Sequence, residues 1–262
     1  MEEMYDLTLQ NMEKSHRVLA GWVPPPQPVV HGPGYVYRYQ ERNIHQALVQ
    51  KLARVVSGLH AARLLLAHGF LQELGAMNRM LDEFNEDISF LAYSVVFHDT
   101  TDLHREYLEA FFEEEFDNPQ SAIHSTQKRP MVRRQKIRAY LSGKKIGLDP
   151  SRGAEVMRTV DKIFSGFVHG ASPHIMDMYN GDPPQFCLQG MLGTIHVDAH
   201  RENLWGYFYR SIGSFVITAK AFGDDSLVQS ILAYMRNFAK ANGQDFTKPP
   251  AWPNPIGPKV PR

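Results

Sequence analysis

The sequence predicts an all-α protein, a helical bundle of about six to seven helices with Pro-rich terminal arms. Prolines gather near both ends, whereas apolar residues recur at helical spacing over nearly all of the chain between them. Apart from a short strand predicted around 186–188, no alternation typical of strands competes with this pattern. The clearest apolar stripe advances alternately by four and three residues: Phe70, Leu74, Met77, Leu81, Phe84, Ile88 and Leu91.

The first half of the chain contains three predicted helices after an N-terminal arm at residues 1–34. Apolar residues spaced by three and four over 48–59 predict a helix that pairs with the stripe at 70–91. A third helix is predicted over 99–118, between side chains that suit an N-cap and a proline that ends it. This helix is strongly acidic, and Arg105 is its only basic residue apart from a histidine.

The second half contains a basic helical segment, three further helices and one long loop within a single domain at 35–245. The loop keeps apolar residues but loses the helical period at prolines and glycines. In order, the predicted parts are the basic segment 128–145, a helix from Ser151 to Gly170, the loop 171–194, helices over 204–222 and 225–242, and a Pro-rich C-terminal arm at 246–262.

Composition excludes several broad classes of protein. The 262 residues carry 28 basic and 28 acidic side chains, so a surface that is basic throughout and binds nucleic acid is excluded. A single cysteine, Cys187, allows no intrachain disulfide. Residues 1–20 lack the apolar core of a signal peptide, and no later run has the length of a membrane span. We therefore expect a cytoplasmic protein with no membrane partner.

Histidines suggest a first candidate site, in which the ligand would be a divalent metal such as zinc. His196 and His200 are four residues apart and share a helix face if their helix begins early enough. His174, in the long loop, is a further candidate ligand, and His169 with Asp177 could converge with these residues beneath the loop. The alternative is that these histidines only cap helices or hold a structural loop. No glutamate follows His196, so the zinc-protease motif is absent.

A ribonuclease of the HEPN type is an alternative, because those small helical enzymes carry an arginine and a later histidine with four to six residues between them. Arg63 with His68, and Arg38 with His45, satisfy this spacing, which chance also produces in a chain with 12 histidines. In such a site the arginine holds the scissile phosphate and the histidine transfers a proton. The residue after Arg63 is apolar, unlike the usual polar residue of that family.

Charged segments offer two further predictions. The carboxylates from Asp82 to Asp87 flank the apolar stripe, and we expect them on a solvated face with an Arg79–Glu83 ion pair. The basic segment 128–145 would bind RNA phosphates without sequence specificity. Alternatively, it would lie against the acidic helix at 99–118, either in the same chain or in the second chain of a dimer.

Three short motifs resemble a bacterial family of helical proteins known only as a domain of unknown function. They are Leu64–Leu66, the run Asn78–Glu83, and the run Phe164–Gly170. The resemblance covers roughly residues 45 to 240 and implies a helical bundle, without an established activity. It also draws attention to four candidate catalytic residues: Arg79, Glu83, Ser165 and His169.

The sequence thus predicts a binding or assembly module, expected to form a homo-oligomer, with a histidine-rich cleft under the loop at 171–194. The alternative is a HEPN-like ribonuclease or a metal-dependent hydrolase of the toxin or phage-defence type. It would use His169 with Arg79, or His196 with His200.

Overall fold

The computed structural model describes residues 1–117, 122–128, 130–144, 159 and 163–244, and it confirms the all-α class. Among these residues, no helix combines the length and the apolar character that crossing a membrane requires. The elements are α1 (Glu2–Ala20), β1 (Gln27–His31), β2 (Gly34–Arg38), α2 (Ile44–Ala67), α3 (Leu71–Val96), α4 (Asp102–Phe112), a 3₁₀ turn (Ala122–His124), α5 (Arg134–Lys144), α6 (163–169), α7 (Ser172–Met176), β3 (Tyr179–Asn180), β4 (Gln185–Phe186), α8 (His196–Ala221) and α9 (Asp225–Ala241).

The predicted apolar stripe lies on α3, the central helix of the bundle. Leu74, Leu81, Ile88 and Leu91 are fully buried, and α3 packs against both α2 and α8. Gly69, with a φ of +74°, lies in the tight turn between α2 and α3. The long helices at 48–59 and 70–91 are therefore confirmed as an antiparallel pair.

Helix α8 runs parallel to α3, because successive residues of the two helices meet in the same order. Tyr207 hydrogen-bonds to Asp82. Ser211 and Ser214, about one and two turns further along α8, hydrogen-bond to Asn85, which is about one turn further along α3. Asp224 then begins α9 as an N-cap whose carboxylate accepts from the Leu227 N–H at 2.9 Å. Helix α9 folds back onto α8 and completes the predicted C-terminal pair.

The N-terminal arm predicted at residues 1–34 is corrected by the structure. Helix α1 buries Tyr5, Leu9, Met12 and Leu19 in the common core. Tyr5 stacks on Phe208 of α8 with ring centroids 4.3 Å apart. Pro24, Pro25 and Pro26 lie in the short connection between the end of α1 and the hairpin β1–β2, and they do not disturb the helix. The C-terminal arm predicted at 246–262 lies outside the described residues.

The prediction of a solvated acidic face on α3 is also corrected. Asp87 is almost fully buried and pairs with Lys51 of α2 at 2.7 Å and with Arg134 of α5. Glu86 pairs with Arg138 of α5 at 3.0 Å. The basic segment therefore lies mainly against α3, and its contact with the acidic α4 includes a Lys136–Glu106 pair at 3.7 Å.

Candidate functional site

The predicted apolar loop, residues 171–194, contains α7 and the β3–β4 pair. Its last part, residues 190–192, lies across the turn between α2 and α3, and we call this part the strap. The Met191 N–H donates to the Gly69 carbonyl oxygen at 2.7 Å. Gly69 and Gly190 both have positive φ, and a Cβ on either would overlap the facing backbone. The end of the loop is therefore held by a close backbone contact that only glycine permits.

Phe167 of α6 contacts one histidine of this loop, His174, and one histidine of α8, His200. The Phe167 ring lies where a Cβ on Gly75 of α3 would be, so α6 approaches α3 closely. The His174 and His200 rings both contact Phe167 edge-on, with centroids 4.5 and 5.9 Å away. His174 in turn occupies the space that a side chain on Gly166 would need. Of the residues predicted to converge beneath the loop, His174 and His200 thus contact one aromatic ring.

Both of these histidines have a buried nitrogen without a partner. The Nδ1 atoms of His174 and His200 make no hydrogen bond, whereas His174 Nε2 lies 3.2 Å from the Ile163 carbonyl oxygen. Burial lowers the pKa of His200, the neighbouring His196 lowers it further, and Asp177 opposes them. His200 is therefore neutral near pH 7.

A further unpaired polar side chain, Asn78, lies on α3 one turn beyond Gly75. It is fully buried, and neither its amide nitrogen nor its oxygen has a hydrogen-bond partner. An imidazole nitrogen without a partner and an unpaired amide can each exchange hydrogen bonds with a small polar group. They supply no anionic charge of their own.

The candidate metal ligands do not form a recognisable metal centre. Helix α8 begins at His196, so His196 and His200 lie one turn apart as the sequence argument required. Across the described ranges, however, the structure contains no group of three or more His, Cys, Asp or Glu side chains that could hold a metal ion. Metal ligation by His174, His196 and His200 stays a prediction.

The four candidate catalytic residues lie on two helices. His169 is exposed at the end of α6, and Ser165 is half-buried on the same helix. The Arg79 Nε donates to Glu83 Oε1 at 3.0 Å, which confirms the predicted ion pair. Glu83 also pairs with Arg134 of α5 at 3.3 Å. Arg79 and Glu83 therefore contribute to the charge network that holds α5, and catalysis by these four residues stays a prediction.

The arginines of the two HEPN-like spacings are engaged in ion pairs. Arg63 binds Glu2 at 2.9 Å and Asp6 at 2.5 Å, which attaches α2 to α1. Arg38 binds Glu114 at 2.5 Å and links the hairpin to the chain after α4. His45 contacts Phe222 at the far end of the bundle. These contacts occupy the guanidinium groups that would have to hold a phosphate.

The feature that sequence reasoning missed is the exposure of the apolar residues in and beside the loop. Periodicity cannot reveal exposure in a segment without a regular period. Nine large apolar side chains between residues 163 and 195 are 41–85% exposed, and we call this set the loop-side surface. It comprises Ile163, Val168, Ile175, Met176, Tyr179, Phe186, Leu188, Leu192 and Ile195.

Few charges accompany the loop-side surface. Between residues 163 and 195 the sequence contains no Lys or Arg, and Asp177 and Asp182 are its only carboxylates. Tyr179 and Phe186 pack edge to face on β3 and β4 with centroids 5.0 Å apart, so these rings form a defined surface.

Comparison of the chain with models of protein families, with curated proteins and with solved structures finds no match.

Proposed function

We propose that the protein is a self-association module, in which two copies pair through the loop-side surface. The observation that carries this proposal is the amount of exposed apolar area in one segment. Nine large apolar side chains between residues 163 and 195 are each at least 41% exposed, and such concentrations of exposed apolar side chains mark association surfaces. Each partner in a standard protein interface buries about 800 Å².

The partner we propose is a second copy of this chain. A surface with two carboxylates and no basic residue offers little charge for recognising a charged partner, and it suits an equally apolar surface. The whole chain has zero net charge, so two copies do not repel one another at long range. A twofold-symmetric pair would bury the same patch on both copies.

The histidines beside Phe167 have a supporting role in this proposal. His174 and His200 flank Phe167, which seats α6 against Gly75 and thereby positions the beginning of the loop. The strap at Gly69 and Gly190 positions its end. Because both ends of the loop are held in place, the loop would lose little conformational entropy when two copies associate.

Light scattering during size-exclusion chromatography tests the proposal directly. The double variant Leu188→Glu with Ile195→Glu places charges on two of the most exposed side chains of the loop-side surface. Ile195 precedes α8, where a carboxylate is favoured by the positive end of the helix, so the variant should fold. We expect the wild-type chain to be a dimer and the double variant to be a monomer.

Val30→Glu is the matched control, because Val30 is 84% exposed on β1 and lies outside the loop-side surface. This variant should remain a dimer, and circular dichroism should show equal helix content in all three proteins. A wild-type chain that stays monomeric up to about 100 μM would overturn the proposal, since interfaces of this area normally bind at micromolar levels or tighter. A double variant that dimerises like the wild type would overturn it too.

A further inference from the structure

At the opposite end of α8 from the loop, three segments enclose a pocket of about 420 Å³. The chain after α1, the beginning of α2 and the residue that ends α8 all line it, and its walls include Trp22, Val23, Glu41, Asn43, His45 and Phe222. The 26 residues of α8 separate this pocket from the loop by about 39 Å at 1.5 Å per residue. A volume of this size is typical of pockets that take small molecules.

Three aromatic rings shape the pocket. Phe222 is almost completely buried and forms the base, and His45 meets it edge-on with ring centroids 4.7 Å apart. Trp22 is half-buried and forms part of the wall. Faces of such rings attract organic cations through their quadrupoles, most strongly in the case of tryptophan.

One carboxylate lies in the lining of the pocket. Glu41 contributes an exposed carboxylate, and its Oε2 accepts from the Asn43 side-chain amide at 2.9 Å. The same Asn43 is the N-cap of α2, where its oxygen accepts from the Gln46 N–H at 3.0 Å, so Glu41 is held by a residue that is itself fixed. Of the described residues that line the pocket, none is Lys or Arg.

Two helices end at this pocket. Helix α1 ends at Ala20 beside Gly21 and Trp22, and α8 ends at Ala221 beside Phe222. Carbonyl oxygens at a helix C-terminus carry a partial negative charge that favours a nearby cation. Backbone N–H groups of residues 222–224 cap the carbonyl oxygens of residues 218–220, whereas the Ala221 carbonyl oxygen has only a long contact of 3.4 Å with His45 Nε2. The beginning of α2 also lies at this pocket, so the helix ends there do not act in one direction.

We propose that this pocket binds an organic monocation of the quaternary ammonium class. Its aromatic lining and the Glu41 carboxylate favour a positive charge, and the volume accommodates a methylated ammonium group with a short tail. A bare metal ion fits this pocket poorly, because Glu41 is the only carboxylate in its lining. This site is independent of the self-association proposed for the loop-side surface.

Titration calorimetry with choline tests the proposal, and 3,3-dimethylbutan-1-ol serves as the uncharged analogue of the same shape. We expect choline to bind with a Kd of about 1 mM or below and the neutral alcohol to bind at least about tenfold more weakly. Tetramethylammonium should compete with choline. Equal affinity for choline and the neutral alcohol would overturn the proposal, as would the absence of heat up to about 20 mM choline.

Variants assign the binding to this pocket. Glu41→Gln removes the charge and keeps the shape, and it should weaken choline binding about tenfold. Trp22→Leu should weaken it by a similar factor, and Trp22→Phe should recover part of the loss. Glu109→Gln, an exposed carboxylate on α4, is the matched control and should bind like the wild type. Because Glu41 is exposed, its variant should fold; unchanged choline binding by Glu41→Gln would refute the assignment.

Discussion

The Tyr207 hydroxyl of α8 donates a hydrogen bond to Asp82 Oδ2 of α3 at 2.7 Å in the interior of the bundle. The other carboxylate oxygen of Asp82 accepts from Arg210 at 2.5 Å. Arg210 also lies over the Tyr207 ring, 4.3 Å from its centroid. Burial and the Asp82 charge raise the pKa of Tyr207, so the hydroxyl keeps its proton and remains a donor. The parallel contact of α3 with α8 therefore includes a charge-assisted hydrogen bond.

Replacing Tyr207 by Phe should destabilise the protein by about 2 kcal/mol, because a hydrogen bond to a buried charged group is lost while the ring remains. Urea unfolding measures this loss. Tyr35→Phe is the control, because Tyr35 is exposed on the hairpin, and it should change the free energy of unfolding by less than about 0.5 kcal/mol. Equal effects of the two variants would show that the Tyr207–Asp82 contact contributes nothing to stability.

His104 of α4 makes stability depend on pH. The ring is fully buried and stacks on Phe90 with centroids 4.0 Å apart. Its Nδ1 accepts from the Thr101 N–H at 3.1 Å, and its Nε2 lies 3.3 Å from the Phe90 carbonyl oxygen, so the neutral form with a proton on Nε2 fits. Burial lowers the pKa of His104 below its ordinary value of 6.5.

The sign of the pH dependence follows from this lowered pKa. Below pH 6.5 the unfolded chain binds a proton at this position more readily than the folded chain, so stability is present above pH 6.5 and is lost as the pH falls toward the folded pKa. We expect His104→Gln to cost about 1–2 kcal/mol at pH 7.5, through the lost ring contact, and less at pH 5. Urea unfolding at both pH values checks this. Parallel losses of stability in the wild type and the variant would contradict the prediction.

Gly75 and Gly206 should respond in opposite directions to alanine. A Cβ on Gly75 would overlap the Phe167 ring and push α6 away from α3, which should destabilise the protein by about 2 kcal/mol. Gly206, inside α8, has nothing within 4 Å of its Cβ position, so alanine there should stabilise the protein by about 0.5–1 kcal/mol through helix propensity. Thermal unfolding of the two variants measures the difference. Stabilisation by Gly75→Ala would mean that α6 is not seated on α3 as described.

Most of the helical framework could be predicted from the sequence, because the apolar stripe at 70–91 and the segments at 48–59, 204–222 and 225–242 bury one continuous face each. The sequence also contains a signal for the N-terminal helix, since Tyr5, Leu9 and Met12 have helical spacing, and the prolines that follow do not affect residues 2–20. A proline disrupts a helix only at its own position and in the preceding turn.

The candidate site could be predicted only in part. The His196–His200 spacing correctly indicated a shared helix face, because α8 begins at His196. The sequence could not show that the His174 and His200 rings both contact Phe167, since that depends on how closely Gly75 lets α6 approach α3. Nor could it show that Glu83 pairs with Arg134, 51 residues away along the chain.

Gly190 should control the strap that closes the loop. Its φ of +111° is rare for any residue with a side chain, and a Cβ there would overlap the His68 carbonyl oxygen. Gly190→Ala should therefore break the contact between Met191 and Gly69, and the exchange rate of the Met191 amide should rise about 10- to 100-fold. Hydrogen exchange resolved at individual amides measures this change.

Gly193→Ala separates backbone strain from overlap, because Gly193 also has a positive φ, +83°, but has nothing within 4 Å of its Cβ position. We expect it to destabilise the loop by about 1–2 kcal/mol through φ alone, less than Gly190→Ala does. If the loop-side surface forms the dimer, Gly190→Ala should also weaken self-association, while amides in the middle of α3 keep their slow exchange. Equal effects of the two glycine variants on the Met191 amide would mean that the close approach at His68 does not hold the strap.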